Sequence, residues 1–327
     1  MNAPLTHAPV SVDPLAADMA AVDDVIRRRL ASEVALVNQI AQYIVGAGGK
    51  RIRPRLVLLF AQALGHDSPA RHELAAIVEF IHTATLLHDD VVDESALRRG
   101  RDTANAIFGN AASVLVGDFL YSRAFQMMVG VGRMRVLEVL ADATNVIAEG
   151  EVLQLMNMHD ADLAIDDYLR VIRYKTAKLF EASARLGAVI ADAPRELEDA
   201  CADFGRALGT AFQLVDDLLD YEGDASTLGK NVGDDLREGK PTLPLLHAMS
   251  RGTPEESALI RHAIENGEVE RLPEIIAIVR RTGAIEATRA FARREADVAR
   301  EKLSSLPDSE ARKALLELCV RSVERSS

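Results

Sequence analysis

Residues 86–93 read Leu-Leu-His-Asp-Asp-Val-Val-Asp and residues 214–220 read Leu-Val-Asp-Asp-Leu-Leu-Asp, the same DDxxD arrangement set twice in aliphatic sequence. On an α-helix the first and last Asp of such a cluster are four residues apart and share a face, so Asp89 with Asp93, and Asp216 with Asp220, would each present paired oxygens to one side. Across residues 83–93 and 211–220, leucines and valines surround the acids on nearly every side. A helix apolar all round is a buried one. Carboxylates crowded on a buried face repel one another, and leaving them unpaired there is costly. Mg²⁺ is the expected partner, because it takes oxygen ligands and bridges one or two carboxylates to substrate phosphates. An acidic chain can produce one such run as a solvated patch. Two identical runs inside aliphatic helices point to a site.

Outward from these clusters, apolar positions recur at helical spacing from Leu15 onward, and no repeat of 20–50 residues is evident. Turn formers cluster at residues 46–54, 65–69, 100–105, 130–132, 191–194, 223–244, 252–254 and 306–308, which are the expected breaks between long helices. Apolar residues make up 48% of the 327 residues but aromatics only 4%, with no Trp, so the core must come from Ala, Leu, Val and Ile, a composition that favours helix over sheet. The expected fold is all-α, a single large helix bundle around a central cavity spanning residues 15–327. Residues 1–14, with Pro4, Pro9 and Pro14 among small and polar neighbours, read as a flexible tail.

A net charge of −12 argues against a nucleic-acid surface, so phosphate chemistry must rest on local cations or metal. Cys201 and Cys319 lack the spacing of a disulfide framework or zinc site. No run is long and uncharged enough to span a bilayer, and the start lacks a basic segment followed by an apolar one. A cytoplasmic protein is expected.

Basic residues flank the acids. Gly48-Gly49-Lys50-Arg51-Ile52-Arg53-Pro54 puts three cations in a turn leading into a helix, where glycines permit close approach and arginines offer forked donors to phosphate. Arg98 and Arg99 follow the first cluster near a helix end, where they could instead balance the helix dipole. Lys175-Thr176, Lys230 and Lys240 add donors, the last two flanking a Gly-rich acidic loop. His82, two turns before Asp89, is a candidate ligand or a packing residue; His88 is weaker still.

In their order along the chain, GGKRIRP, DDVVDESALRRG, the Lys-Thr pair, FQLVDDLLDY and GKNVGDDLREGKPTLP resemble the trans-isoprenyl diphosphate synthases, and the resemblance covers nearly all of the chain beyond the tail. SVLVGDFLYSRAFQMM and NVIAEGEVLQLMN resemble the long-chain members that make the octaprenyl side chain of quinones. The resemblance implies an isoprenoid synthase type I-like fold, and it implies that Lys50, Arg53, His82 and Arg99 hold the diphosphate of isopentenyl diphosphate. Arg98, Lys175, Thr176, Gln213, Lys230 and Lys240 would hold the allylic prenyl diphosphate, with farnesyl diphosphate the expected starter. Asp89 and Asp93 would ligate Mg²⁺ from one wall, Asp216 and Asp220 from the other, with Asp90 and Asp217 as further ligands or supporting acids. Lys175 and Lys230 join the six acids as the expected catalytic set. A homodimer is implied in the same way, and a lipid product makes loose membrane contact an expectation. Asp102 and Asn105 depart from the pattern, where relatives often carry Pro and His.

The implied reaction ionises the allylic diphosphate, adds the carbon cation to isopentenyl diphosphate and releases a proton, while the closed site excludes water. Ala84 and Thr85 lie five and four residues before Asp89, about one 5.4 Å turn deeper. Both are small; the resemblance implies that bulky side chains here stop elongation early, so the product is expected to grow past them, with Phe125, Met127 and Met128 as candidate floor or as ordinary core. Two other readings remain: an HD-type metal phosphohydrolase built on His88-Asp89, and a non-catalytic subunit of a heteromeric synthase. A shorter- or longer-chain synthase is also open.

Overall fold

The computed structural model describes residues 14–46, 48–98, 100–222 and 232–325. The expected tail up to residue 13, Arg99 and Lys230 lie outside the described residues. The described chain is almost wholly helical: α1 (Ala16–Leu30), α2 (Ala35–Gly46), α3 (Ile52–Ala63), α4 (Ala70–Val92), α5 (Ala104–Phe108), α6 (Asn110–Val131), α7 (Met134–Asn157), α8 (Ile165–Ile172), α9 (Lys178–Ile190), α10 (Arg195–Glu222), α11 (Asp234–Arg237), α12 (Leu243–Arg251), α13 (Pro254–Asn266), α14 (Leu272–Arg281), α15 (Ala284–Lys302) and α16 (Glu310–Glu324). A two-residue antiparallel pair, β1 (Leu97–Arg98) with β2 (Arg101–Asp102), interrupts the run after α4.

The acid clusters sit on the two helices the sequence marks as buried. The long α10 sends Phe204 and Leu208 into one apolar cluster, Leu218 and Tyr221 into a second, and Leu214, Val215 and Leu219 into a third. The main cluster is chiefly aliphatic, as the composition predicts, with Phe60 meeting Phe204 edge to face at 5.1 Å. Breaks at residues 31–34 and 158–164 carry no Gly or Pro signal. The latter is set by tertiary contacts instead: the His159 backbone N–H donates to Gly239 O at 2.7 Å, and its ring nitrogen lies 3.0 Å from Ile264 O.

Between α8 and α9 the helix widens into one π-helical turn, Arg173–Ala177, which carries Lys175 and Thr176. Such turns recur at functional sites. Two glycines let neighbouring backbones clasp it: a Cβ on Gly150 of α7 would fall 2.6 Å from the Lys175 backbone nitrogen, and one on Gly209 of α10 would fall 2.7 Å from Ala177 Cα. The short hairpin is tied down behind α4. Asn105 Nδ2 donates to Asp90 O at 3.1 Å, Tyr43 Oη donates to Asp102 O at 2.6 Å, and Arg101 stacks over the Tyr43 ring. Of the two departures from the expected pattern, Asn105 ties the start of α5 to the end of α4 through its side chain, while Asp102 takes part only through its main-chain carbonyl. No helix among the described residues is long and apolar enough to cross a membrane.

Candidate active site

A cavity of about 730 Å³ opens between α4, α7, the π turn and α10, with the start of α3 at one end and the segment following α11 at another. Asp89 and Asp93 line it from α4, and Asp216 and Asp217 line it from α10. The facing acidic walls expected from the sequence are therefore present, but their membership differs.

Asp90 is fully buried on the far side of α4 and does not line this cavity. Adjacent helical residues are rotated by about 100° from one another, which carries Asp90 off the face Asp89 holds. It receives Arg98 instead, with Nε at 2.7 Å and Nη2 at 2.6 Å from its Oδ1. Arg98 itself lines the cavity. Burial opposes its charge, yet Asp90, then Asp89 and Asp93, outweigh burial and hold its proton more firmly than usual. Of the two roles the sequence left open for Asp90, ligand or supporting acid, this placement favours the supporting one, a carboxylate that aims Arg98.

Asp220, expected as a ligand, likewise does not line the cavity. It is fully buried, off the cavity wall, and its Oδ2 accepts the Asp235 backbone N–H at 3.1 Å at the start of α11. The face offered by α10 is Asp216, flanked by Asp217. Asp217 accepts from Tyr168 Oη at 2.5 Å and from Gln213 Nε2 at 2.7 Å, and Thr176 Oγ1 donates to Gln213 Oε1 at 2.9 Å. A chain of hydrogen bonds thus runs from the second acid cluster to the π turn. Burial and then Asp235 push the Asp217 carboxyl up to about 7, while Tyr168 and Gln213 pull it down.

Cations from other elements meet the α4 acids. Lys175 Nζ donates to Glu151 Oε2 at 2.6 Å and lies 3.8 Å from Asp89 Oδ2. Lys240 Nζ lies 3.2 Å from Asp93 Oδ2 and also pairs with Glu238. Burial disfavours the Lys240 charge, but Asp93, Glu238 and Asp235 outweigh it and raise its pKa. Burial raises Asp89, with Lys175 opposing and Asp93 adding to it. Lys50, Arg53 and His82 line the end of the cavity beside α3, where the Arg53 guanidinium sits 4.5 Å above the Phe180 ring.

The deeper residues fall into two groups. Thr85 lines the cavity. Ala84 does not: it is fully buried in the main apolar cluster, because five residues along a helix is about 140° of rotation whereas four is about 40°. Met127 and Met128 are packed into that same cluster, and Phe125 is 37% exposed with its ring against Tyr121. None of the three lines the cavity, so the floor expected from them is not formed there. His88 also turns away, its Nε2 lying 3.2 Å from Val114 O on α6 with Gly117 beneath its ring.

Several lining residues escaped sequence reasoning. Glu151 was detectable as a charge beside a mid-helix glycine in an otherwise apolar run, the signal for close approach at a buried position. Burial pushes its carboxyl up to about 7 against the pull of Lys175. Arg325, just past α16, had no local signal: it stacks 3.8 Å over the Phe212 ring, donates to Phe212 O at 2.6 Å and lies 3.4 Å from Asp216 Oδ1.

Residues 34–279 match the polyprenyl synthetase family model. The chain is 57% identical over 311 residues to octaprenyl diphosphate synthase of Escherichia coli strain K12, covering 95% of this chain and 96% of that one. The chain belongs to the polyprenyl synthetase family. Within that family it is also 47% identical over 314 residues to an all-trans-nonaprenyl-diphosphate synthase, described as geranyl-diphosphate specific, from Rhodobacter capsulatus, with 95% and 96% of the two chains covered. A crystal structure of polyprenyl synthase from Caulobacter crescentus, complexed with calcium and isoprenyl diphosphate, superposes with a TM-score of 0.93 at 48% identity, covering 96% of each chain. The fold is thus the all-α isoprenoid synthase fold, and the chain is a prenyltransferase.

The polyprenyl synthetase site suits a divalent cation through its donor chemistry. Asp89, Asp93 and Asp216 line one cavity as oxygen donors, and Lys175 and Lys240 pair with the α4 acids. Among the described residues no three acidic, His or Cys side chains converge into a closed metal site. A divalent cation held by these acids would take its remaining ligands from water or a bound anion.

Proposed function

We propose that this chain is a Mg²⁺-dependent, long-chain trans-polyprenyl diphosphate synthase that extends an allylic prenyl diphosphate, with farnesyl diphosphate as starter, by successive addition of isopentenyl diphosphate to an octaprenyl product. The observation that carries this reading is one cavity in which Asp89 and Asp93 face Asp216, with Lys175, Arg98 and Lys240 beside them and a separate basic group, Lys50, Arg53 and His82, at the α3 end. Two diphosphates suit this arrangement, one among metal-binding acids and one beside the cations of the α3 end.

Asp89, Asp93 and Asp216 would hold Mg²⁺, which when bound supplies charge stabilisation to the departing diphosphate. Lys175 and Arg98 add preset positive charge at the same leaving group, and the Asp217–Gln213–Thr176 chain holds the π turn that carries Lys175. Lys50, Arg53 and His82 would orient isopentenyl diphosphate with its double bond toward the allylic carbon. The allylic C–O bond breaks with its electron pair leaving on diphosphate, the resulting carbon cation is captured by the double-bond electrons of isopentenyl diphosphate to form the new carbon–carbon bond, and the proton lost from the adjoining carbon passes to the released diphosphate. The depth beyond Thr85 would receive the growing chain.

Leu115, Val129, Val152, Leu155 and Met156 are exposed along α6 and α7, Met156 by 73%, and this apolar stripe supports a homodimer. The passage of α10 through all three apolar clusters supports reading residues 15–327 as one domain. Cys201 and Cys319 are both buried thiols, which supports a cytoplasmic protein. The turn of His88 toward α6 weighs against the phosphohydrolase reading, and the two intact DDxxD motifs weigh against a non-catalytic subunit.

Purified protein incubated with Mg²⁺, farnesyl diphosphate and labelled isopentenyl diphosphate is expected to give a ladder of prenyl diphosphates ending at octaprenyl diphosphate on chromatography. Free phosphate without prenyl product would favour a hydrolase, and silence until a second chain is added would favour the subunit reading.

A further inference from the structure

We propose that Arg51 and Glu79 form a latch that sets the geometry of the isopentenyl diphosphate pocket, a positioning pair that acts through Lys50 and Arg53. The turn before α3 is unusual in its backbone. Gly48 and Gly49 have φ of 71° and 146°, and Arg51, which is not glycine, has φ 50° and ψ 37°. A long side chain in the left-handed region crowds its own carbonyl, so such a conformation persists only where surrounding contacts enforce it.

The enforcing contacts are visible. Arg51 Nη1 lies 2.9 Å from Glu79 Oε1, and Nη2 lies 3.4 Å from Val45 O at the end of α2. Both partners of the ion pair are largely shielded from water, with 15% and 12% of their side chains exposed. Glu79 sits on α4 one turn before His82, and both line the cavity. Arg51 O accepts the Arg55 N–H at 3.2 Å and so opens α3. The backbone angles at Arg51 therefore fix the directions of Lys50, which precedes it, and Arg53, which follows in the first turn of α3. One carboxylate on α4 thus sets the two cations of the turn relative to His82.

The pair also settles a charge problem. A shielded carboxylate lining a pocket for a diphosphate repels that ligand unless a cation cancels it. Arg51 offsets the Glu79 charge beside the cations of the turn. This inference rests on the reading of Lys50 and Arg53 as the isopentenyl diphosphate donors.

The test is a double-mutant cycle of Arg51→Gly and Glu79→Gln in the full chain with Mg²⁺, each substrate varied while the other is saturating. Glycine tolerates the left-handed backbone but does not hold the turn in it, so Arg51→Gly removes the guanidinium together with its restraint on the turn and leaves the Glu79 charge without it; Glu79→Gln keeps the shape and removes the charge. Each single change is expected to raise KM for isopentenyl diphosphate by about tenfold, to leave KM for farnesyl diphosphate within about twofold, and the double variant is expected to be no worse than the worse single one. Additive effects, or equal shifts in both KM values, would overturn the latch. If Arg51→Gly fails to fold by circular dichroism, the isosteric Glu79→Gln carries the test, and an unchanged KM for isopentenyl diphosphate sinks the proposal. Lys50→Ala separates the underlying reading: if it too leaves that KM unchanged, the pocket is misassigned, whereas a raised KM there beside an unaffected latch removes the latch alone.

Discussion

Lys240 Nζ lies 3.2 Å from Asp93 Oδ2, so a lysine from the segment after α11 reaches the helix that carries the first acid cluster. The contact joins the second half of the chain to the first across the cavity. Lys240→Met should leave Asp93 and Glu238 crowded without their counter-charge, lowering stability by about 2 kcal/mol in the metal-free protein. Added Mg²⁺ with inorganic diphosphate should restore part of the loss. Thermal melts in EDTA and in Mg²⁺ check this; identical melting of variant and wild type in EDTA would show that the contact carries no weight.

Asp89→Ala should lower turnover by about two orders of magnitude or more, since it removes a donor of the metal wall. The same change relieves burial of an acid whose pKa is raised by that burial, so the fold should be unharmed or slightly firmer. Wild-type turnover in this variant would refute the assignment of the wall.

The acid clusters were legible because charge inside an aliphatic helix has few explanations, and the helical fold was legible from the same aliphatic runs. Helical rotation was applied too loosely to the members. Asp90 and Asp220 share the motif but not the cavity face, one turned to Arg98 and the other to the Asp235 N–H. The π turn at Arg173–Ala177 left no pattern to read, as it follows from Gly150 and Gly209 meeting the same backbone from two sides. Arg325 reaches Asp216 from 109 residues away in sequence, a proximity only packing creates.

Burial raises Glu151 from 4.5, and Asp217 from 3.8, each to about 7. In the metal-free folded chain both stay protonated where the unfolded chain has ionised them. At these two groups the folded state then binds more protons, so their contribution to stability falls as pH rises from about 4 to about 7 and levels off above. Glu151→Gln removes one of these groups. Its stability relative to wild type in EDTA should therefore climb between about pH 4.5 and 7, by on the order of a few kcal/mol at most. Urea midpoints across that range decide it, and a difference that stays flat with pH would mean that Glu151 ionises normally.

Thr85 and Ala84 are adjacent in sequence yet face different surroundings, the first the cavity and the second the main apolar cluster. A bulky side chain should therefore act differently at each. Thr85→Phe places a ring where the growing chain must pass, so the product ladder should stop several units early while the first condensation proceeds at near wild-type rate. Ala84→Phe forces that ring into a filled core, at a cost of about 1–3 kcal/mol, and should lower the melting temperature before it alters the product. Chromatography of the products beside thermal melts of both variants separates the two effects. Full-length product from Thr85→Phe would mean that the chain leaves the cavity by another route.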